Sequence, residues 1–226
     1  MVILKFALKR SFRRPLTIFM SFVLPISLLL ISGLWGDGGR GYYLIALVIM
    51  FGSFPLTGGM LTDRRERTIV RIMSTPTTTF DYLFQNLIAC MVPLLLQSLV
   101  ISVTGMLLHD WSFTFTFFIG VCYLAFAATS VAFSFAWNCL FKSKEVSFTI
   151  LSMFLTLASF AGLLLPLEIF PDNLRTVAMI FPTYWIASSI EELISNGSTL
   201  RFGMSISVLT LFVVVFLLYG SKRGAY

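Results

Sequence analysis

Few residues in this chain are of a type and spacing that could do chemistry. The one histidine, His109, adjoins Asp110. Such a pair can act as a general base when a nucleophile stands within reach. No serine or cysteine completes the set at a recognisable spacing, so the pair reads as a solvated turn. Cys90, Cys122 and Cys139 are odd in number, lack metal-ligand spacing and fall in or beside apolar runs; they read as small hydrophobes. The one Gly-rich piece, GDGGRG at 36–41, lacks the Lys-Ser/Thr pair that a phosphate-cradling loop requires, and no such loop occurs elsewhere. No catalytic residue, bound metal or nucleotide site is expected on this chain.

The elements around these residues are apolar. Of 226 residues 58% are hydrophobic and only 12% charged, 24 are phenylalanine, and the mean hydropathy is +0.92. Soluble domains carry roughly twice that share of charge. Stretches of about 20 apolar residues recur, each able to cross a hydrocarbon core about 30 Å thick as a helix. The sequence predicts an all-α polytopic membrane protein of six spans, near 16–35, 42–62, 83–108, 112–141, 146–165 and 202–220. The run from Leu16 to Trp35 is too long for a secretory leader and has no A-x-A site after it, so it is expected to be retained as the first span. Pro25, Pro55 and Pro93 lie inside spans, where they read as packing kinks.

The net charge of +6 does not point to nucleic acid, because the basic residues gather at span ends. With the N-terminus placed inside, the cytoplasmic segments hold Lys5, Lys9, Arg10, Arg13, Arg14, Arg64, Arg65, Arg67, Arg71, Lys142, Lys144, Lys222 and Arg223. Only Arg40, Arg175 and Arg201 remain outside. By the positive-inside rule both termini face the cytoplasm.

Three segments depart from plain spans. Residues 1–15 form an amphipathic interfacial helix, with Ile3, Phe6 and Ala7 on one side and lysines and arginines on the other. Residues 166–200 are apolar but broken by Pro166, Pro171 and Pro182, and must begin and end outside; a re-entrant helical element meets both conditions. Within it Glu168 and Tyr184 are candidates for an outer gate, Glu168 because an ionisable group near the membrane interior is a functional candidate. The third segment, 63–75, carries four arginines. Asp63 and Glu66 make a capping-box arrangement, and the residue before Pro76 disfavours helix. Arg64, Arg67 and Arg71 share one face while Ile69, Ile72 and Met73 cover another. Such a helix either snorkels to anionic headgroups or docks on a cytoplasmic partner; its residues alone leave both open. The fourth span carries a packing seam: Ala128, Ala132 and Ala136 in one row, Ser130, Ser134 and Asn138 in the next.

The segments LKFALKRSFRRPLTIFMSFVLPISLLL, FGSFPLTGGMLTDRRERTIVRIMSTPTTTFDYLFQNLI and FAGLLLPLEIFPDNLRTVAMIFPTYWIASSIEEL, in this order, resemble the membrane subunit of a type-2 ATP-binding-cassette exporter. The resemblance covers essentially the whole chain, which it implies is one transmembrane domain, 1–226. It implies that Asp63, Arg64, Arg65, Glu66, Arg67, Thr68, Ile69, Arg71, Ile72 and Pro76 belong to a coupling helix docking on an ATPase subunit. Arg67 stands where the family usually has glycine. It makes Lys5, Lys9, Arg10, Arg13 and Arg14 a connecting helix. ATP and Mg would bind two copies of a separate ATPase subunit, and a second permease, identical or sister, would complete the assembly.

The function so implied is export of an amphiphile (a drug, lipid or amphipathic peptide) across a bacterial cytoplasmic membrane. A mere anchor recruiting a cytoplasmic partner has no need of the Pro-rich outer element. An ion-coupled secondary transporter commonly needs ionisable groups in mid-span, and none is present.

Overall fold

The computed structural model describes residues 8–9, 18–35, 39–59, 78–141, 143–165, 169, 171–195 and 197–223. Among these residues every regular element is helical. A π-helical turn, Phe19–Val23, leads into α1, Leu24–Leu29. α2 is Arg40–Thr57, α3 Thr79–His109, α4 Phe113–Asn138 and α5 Lys144–Ser159. Two shorter helices follow, α6 (Asp172–Ala178) and α7 (Pro182–Ile194), and then α8 (Thr199–Arg223). The connecting-helix residues other than Lys9, the whole 63–75 segment with Pro76, and both Pro166 and Glu168 lie outside the described residues. Lys9 is helical and exposed.

Among the described residues, four helices are long and apolar enough to cross a membrane: Arg40–Thr57, Phe84–His109, Phe113–Asn138 and Thr199–Lys222. Among the described residues, the first and fifth expected spans are represented by shorter apolar helices, Phe19–Leu29 and Glu145–Ser159. Each has a local irregularity. Pro25 lacks an N–H, and its ring crowds the preceding turn; the chain takes up the misfit in the π turn just before it. After Leu29 only a 3-10 turn, Ser32–Leu34, continues. At the fifth, Gly162 adopts φ +105°, open to glycine and costly for other residues. The N–H groups of Leu163 and Leu164 then fold back onto Ser159 O at 3.1 and 2.9 Å and close the helix end.

The third helix starts earlier than expected because Thr78 and Asp81 cap it. Asp81 N–H donates to Thr78 Oγ1 at 3.1 Å while Thr78 N–H donates to the Asp81 carboxylate at 3.2 Å. Thr78 Oγ1–H adds a second bond to the same carboxylate, at 2.6 Å.

α4 is the hub, packed against α2, α3, α7 and α8. Its contact face combines small residues (Ala127, Ala132, Ala136) with large buried ones (Tyr123, Phe126, Phe135). In lipid, apolar helices gain little by hiding from their solvent, so close packing and interhelical hydrogen bonds decide which surfaces meet. The bonds also fix direction. Tyr123 and Asn138 of α4 meet Tyr42 and Thr57 of α2, while Thr129 of α4 and Cys139 at its C-cap meet Leu209 and Gly220 of α8. α2, α4 and α8 therefore run parallel.

Candidate functional site

The polar contacts inside the bundle gather at two levels. At one end, Asn138 in the last turn of α4 is fully buried and donates through Nδ2 to Thr57 Oγ1 at 3.3 Å. Its Oδ1 accepts from Ser147 Oγ of α5 at 3.1 Å. Trp137 Nε1–H donates to Ser147 O at 3.3 Å, and Cys139 Sγ–H to Gly220 O at 3.5 Å. Thr57 Oγ1 itself donates to Phe54 O at 2.9 Å, which leaves its lone pairs for Asn138. One amide thus ties α2 and α5 to α4 a few residues before the 63–75 segment begins.

The other residues of the α4 rows behave differently. Ser134 Oγ turns back to Ser130 O of its own helix at 2.8 Å. Ala132 and Ala136 are buried and Ala128 half-buried. Thr129, which the sequence rows did not single out, makes the crossing bond: its Oγ1 lies 2.9 Å from Ala125 O and 3.0 Å from Leu209 O.

Above the Asn138 knot lies a cavity of about 270 Å³ between α2, α4, α5, α8 and the 180–183 turn. Six phenylalanines line it: Phe126, Phe133, Phe154, Phe181, Phe212 and Phe216. Its hydroxyls are mostly spent on backbone oxygens, Ser53 on Met50 O, Thr129 on Leu209 O and Thr183 on Ala158 O, at 2.7 to 3.0 Å. The walls therefore present hydrocarbon and aromatic faces.

At the other end α6 is mostly exposed while α7 packs inward. Pro171 precedes α6, and Pro182 occupies the first turn of α7, where its missing N–H costs nothing. Tyr184 is buried, with its hydroxyl accepting from Arg175 Nε–H at 3.3 Å. Ile186, Ala187 and Ile190 are fully buried, and α7 packs against both α4 and α8. Glu192 organises the following turn: its carboxylate accepts from Ser198 N–H at 2.8 Å and faces Arg201 at 3.6 Å.

His109 needs a correction. It is half-buried rather than solvated: its Nε2–H donates to Leu29 O at 2.9 Å, and its ring lies 5.1 Å from Trp35. Trp35, Tyr42, Trp111 and Phe115 complete an aromatic cluster with centroid spacings of 5.0 to 5.7 Å. Sequence reading missed it because its members come from two stretches, 35–42 and 109–115, that lie far apart in the chain. Among the described residues, no group of His, Cys, Asp and Glu could hold a metal ion.

Long apolar helices, a core bonded by hydroxyls and amides, and charge confined to helix ends define a multi-pass helical membrane protein. The sequence model of the ABC-2 family transporter proteins matches residues 38–222, and the chain belongs to that family. No curated protein matches the sequence closely enough to count as a relative.

Proposed function

We propose that this chain is the permease subunit of an ATP-driven exporter. It would work with a second permease, identical or sister, and with two copies of an ATPase subunit that bind ATP and Mg. The family match carries this reading. In it the chain crosses a bacterial cytoplasmic membrane six times, with both termini inside and the 166–200 segment dipping back from the outer face. Pro166, Glu168, Pro171, Pro182 and Tyr184 would belong to an outer gate. The 63–75 helix would dock on the ATPase, and the connecting helix would lie along the inner interface. ATP-driven closure would push that docking helix, and the knot at Thr57 and Asn138 would pass the push from α2 into α4 and α5.

The phenylalanine-lined interior favours an amphiphile as cargo. The described spans carry no charge in their middles, which speaks against a small ion or a strongly charged solute.

Co-purification tests the docking role. Glu66→Ala, Arg64→Ala and Ile69→Asp should each weaken recovery of the ATPase subunit and stop transport, while membrane insertion survives. A partly buried interfacial charge is worth about 2–5 kcal/mol when its partner is left behind, against about 1 kcal/mol for one arginine at a lipid surface. Undiminished co-purification and transport in all three would mean that the segment touches only lipid. The purified chain alone should turn over no ATP.

A further inference from the structure

The cavity enclosed by the six phenylalanines has an open side. α4 packs against both α5 and α8, yet α5 and α8 hardly meet each other. The gap between them is bridged by rings instead: Phe133 of α4 stacks on Phe154 of α5 at 5.5 Å and meets Phe216 of α8 edge-on at 5.2 Å. Phe212 stacks on Phe216 at 5.6 Å. Outside this gap the helices show lipid-type surfaces, with Met153 and Leu157 exposed on α5 and Leu211 and Val215 on α8. Ile180, which lines the cavity, is 69% exposed. The cavity-lining residues of α4 and α8 lie near the middle of those helices, hence near the bilayer midplane.

We propose that this cavity is a lateral docking site for one acyl chain of a membrane lipid, admitted between α5 and α8. Three features select that occupant. Among the described residues no ionisable side chain lines the space, and most hydroxyls on its walls are already bonded to backbone oxygens. A headgroup or a polar solute would therefore leave its own hydrogen bonds unmade there. At mid-bilayer the mouth faces hydrocarbon, so chains are what reach it. The size also fits: an apolar cavity of about 150 Å³ accepts benzene, so one nearly twice as large holds a chain segment of roughly ten carbons. The proposal rests on the chain lying in a bilayer and not on the docking of an ATPase, so it is read without ATP.

The test uses the full chain in phosphatidylcholine nanodiscs doped with a phosphatidylcholine that carries a diazirine in mid-chain. After photolysis, adducts are mapped by mass spectrometry. Lipid at the outer surface will label Leu211 in any case. Adducts on Phe126, only 1% exposed, and on the buried Ala158 require a chain inside the cavity. Filling the space with Ser130→Phe should cut the Phe126 adduct at least tenfold and leave Leu211 unchanged. Phe212→Trp, at the half-exposed mouth, should act in the same direction and does not depend on tolerance of a larger residue in α4. Adducts confined to exposed positions in the parent protein would overturn the proposal, and so would a Phe126 adduct indifferent to both variants. A Phe212→Cys variant that oxidises to a dimer while Phe126 stays unlabelled would show that a second copy covers the mouth, which also overturns it.

Discussion

Asn138 Nδ2 lies 3.3 Å from Thr57 Oγ1, and fifteen residues back along both helices the Tyr123 hydroxyl donates to Tyr42 O at 3.0 Å. The two bonds join the same pair of helices at heights about 22 Å apart. Neither helix can slide or turn against the other without breaking one of them.

Asn138→Ala removes the bonds to both Thr57 and Ser147 and strands the Ser147 hydroxyl in a buried site, while Thr57 keeps its bond to Phe54 O. Interhelical hydrogen bonds in membranes average about 0.6 kcal/mol and reach about 1.7, so the variant should lose about 1–3 kcal/mol in reversible unfolding. Thr57→Val should cost less alone and add little to Asn138→Ala. Strictly additive losses in that double-mutant cycle would show that the pair is not coupled.

The cap of α3 carries a pH signature. The Thr78 hydroxyl, and after it the Thr78 N–H, hold the Asp81 carboxyl below its ordinary range. A carboxyl lowered on folding contributes stability above its unfolded value, near 3.9, and loses it as pH falls through the lowered one. The Asp81 side-chain carbon should titrate below about 3.9 by NMR, and Thr78→Ala should move that midpoint upward. An equal midpoint in both proteins would remove the cap from the account.

Gln97 lies on α3 at 1% exposure, with neither amide atom bonded. A buried amide without partners costs more than an apolar side chain of similar size. Gln97→Leu should therefore be neutral or more stable by about 1 kcal/mol, measured as the thermal midpoint. A loss of 1 kcal/mol or more would mean that the amide is engaged.

Trp111 lies flat over Gly105, where an added methyl would overlap its ring. The ring has little room to retreat, being packed against Trp35, Tyr42 and Phe115. Gly105→Ala should cost about 1–3 kcal/mol, as overpacking does, and shift tryptophan fluorescence. Gly203→Ala in α8, with open space around it, should stabilise by up to about 1 kcal/mol through helix propensity. Equal effects at the two sites would contradict the packing described.

Helix types and their order were legible from hydropathy, because runs such as Phe84–His109 can be satisfied in lipid only as helices. Lengths were less so. Hydropathy continues past Leu29 and Ser159; the backbone turns out of the second helix where Gly162 takes a positive φ, and after Leu29 it passes into a 3-10 turn that hydropathy does not announce. The Ala and Ser/Asn rows of α4 pointed to a packed helix and named Asn138, which bonds across to α2, but not Thr129, which bonds across to α8; Ser134 of the same row turns back on its own helix. The cavity and the aromatic cluster had no local signal, since each collects residues from distant segments.

Both bonds from α4 to α8 end on main-chain oxygens, Leu209 O and Gly220 O, and only 17% of the apolar window of α8 is buried. Every residue type has a carbonyl, so the attachment survives a change of side chain at either position. The side chains that this contact requires are therefore those of Thr129 and Cys139, on one side of it. The exposed face of α8 can exchange one apolar residue for another without loosening the attachment, whereas Ser205, Leu209 and Leu217 are buried against the bundle.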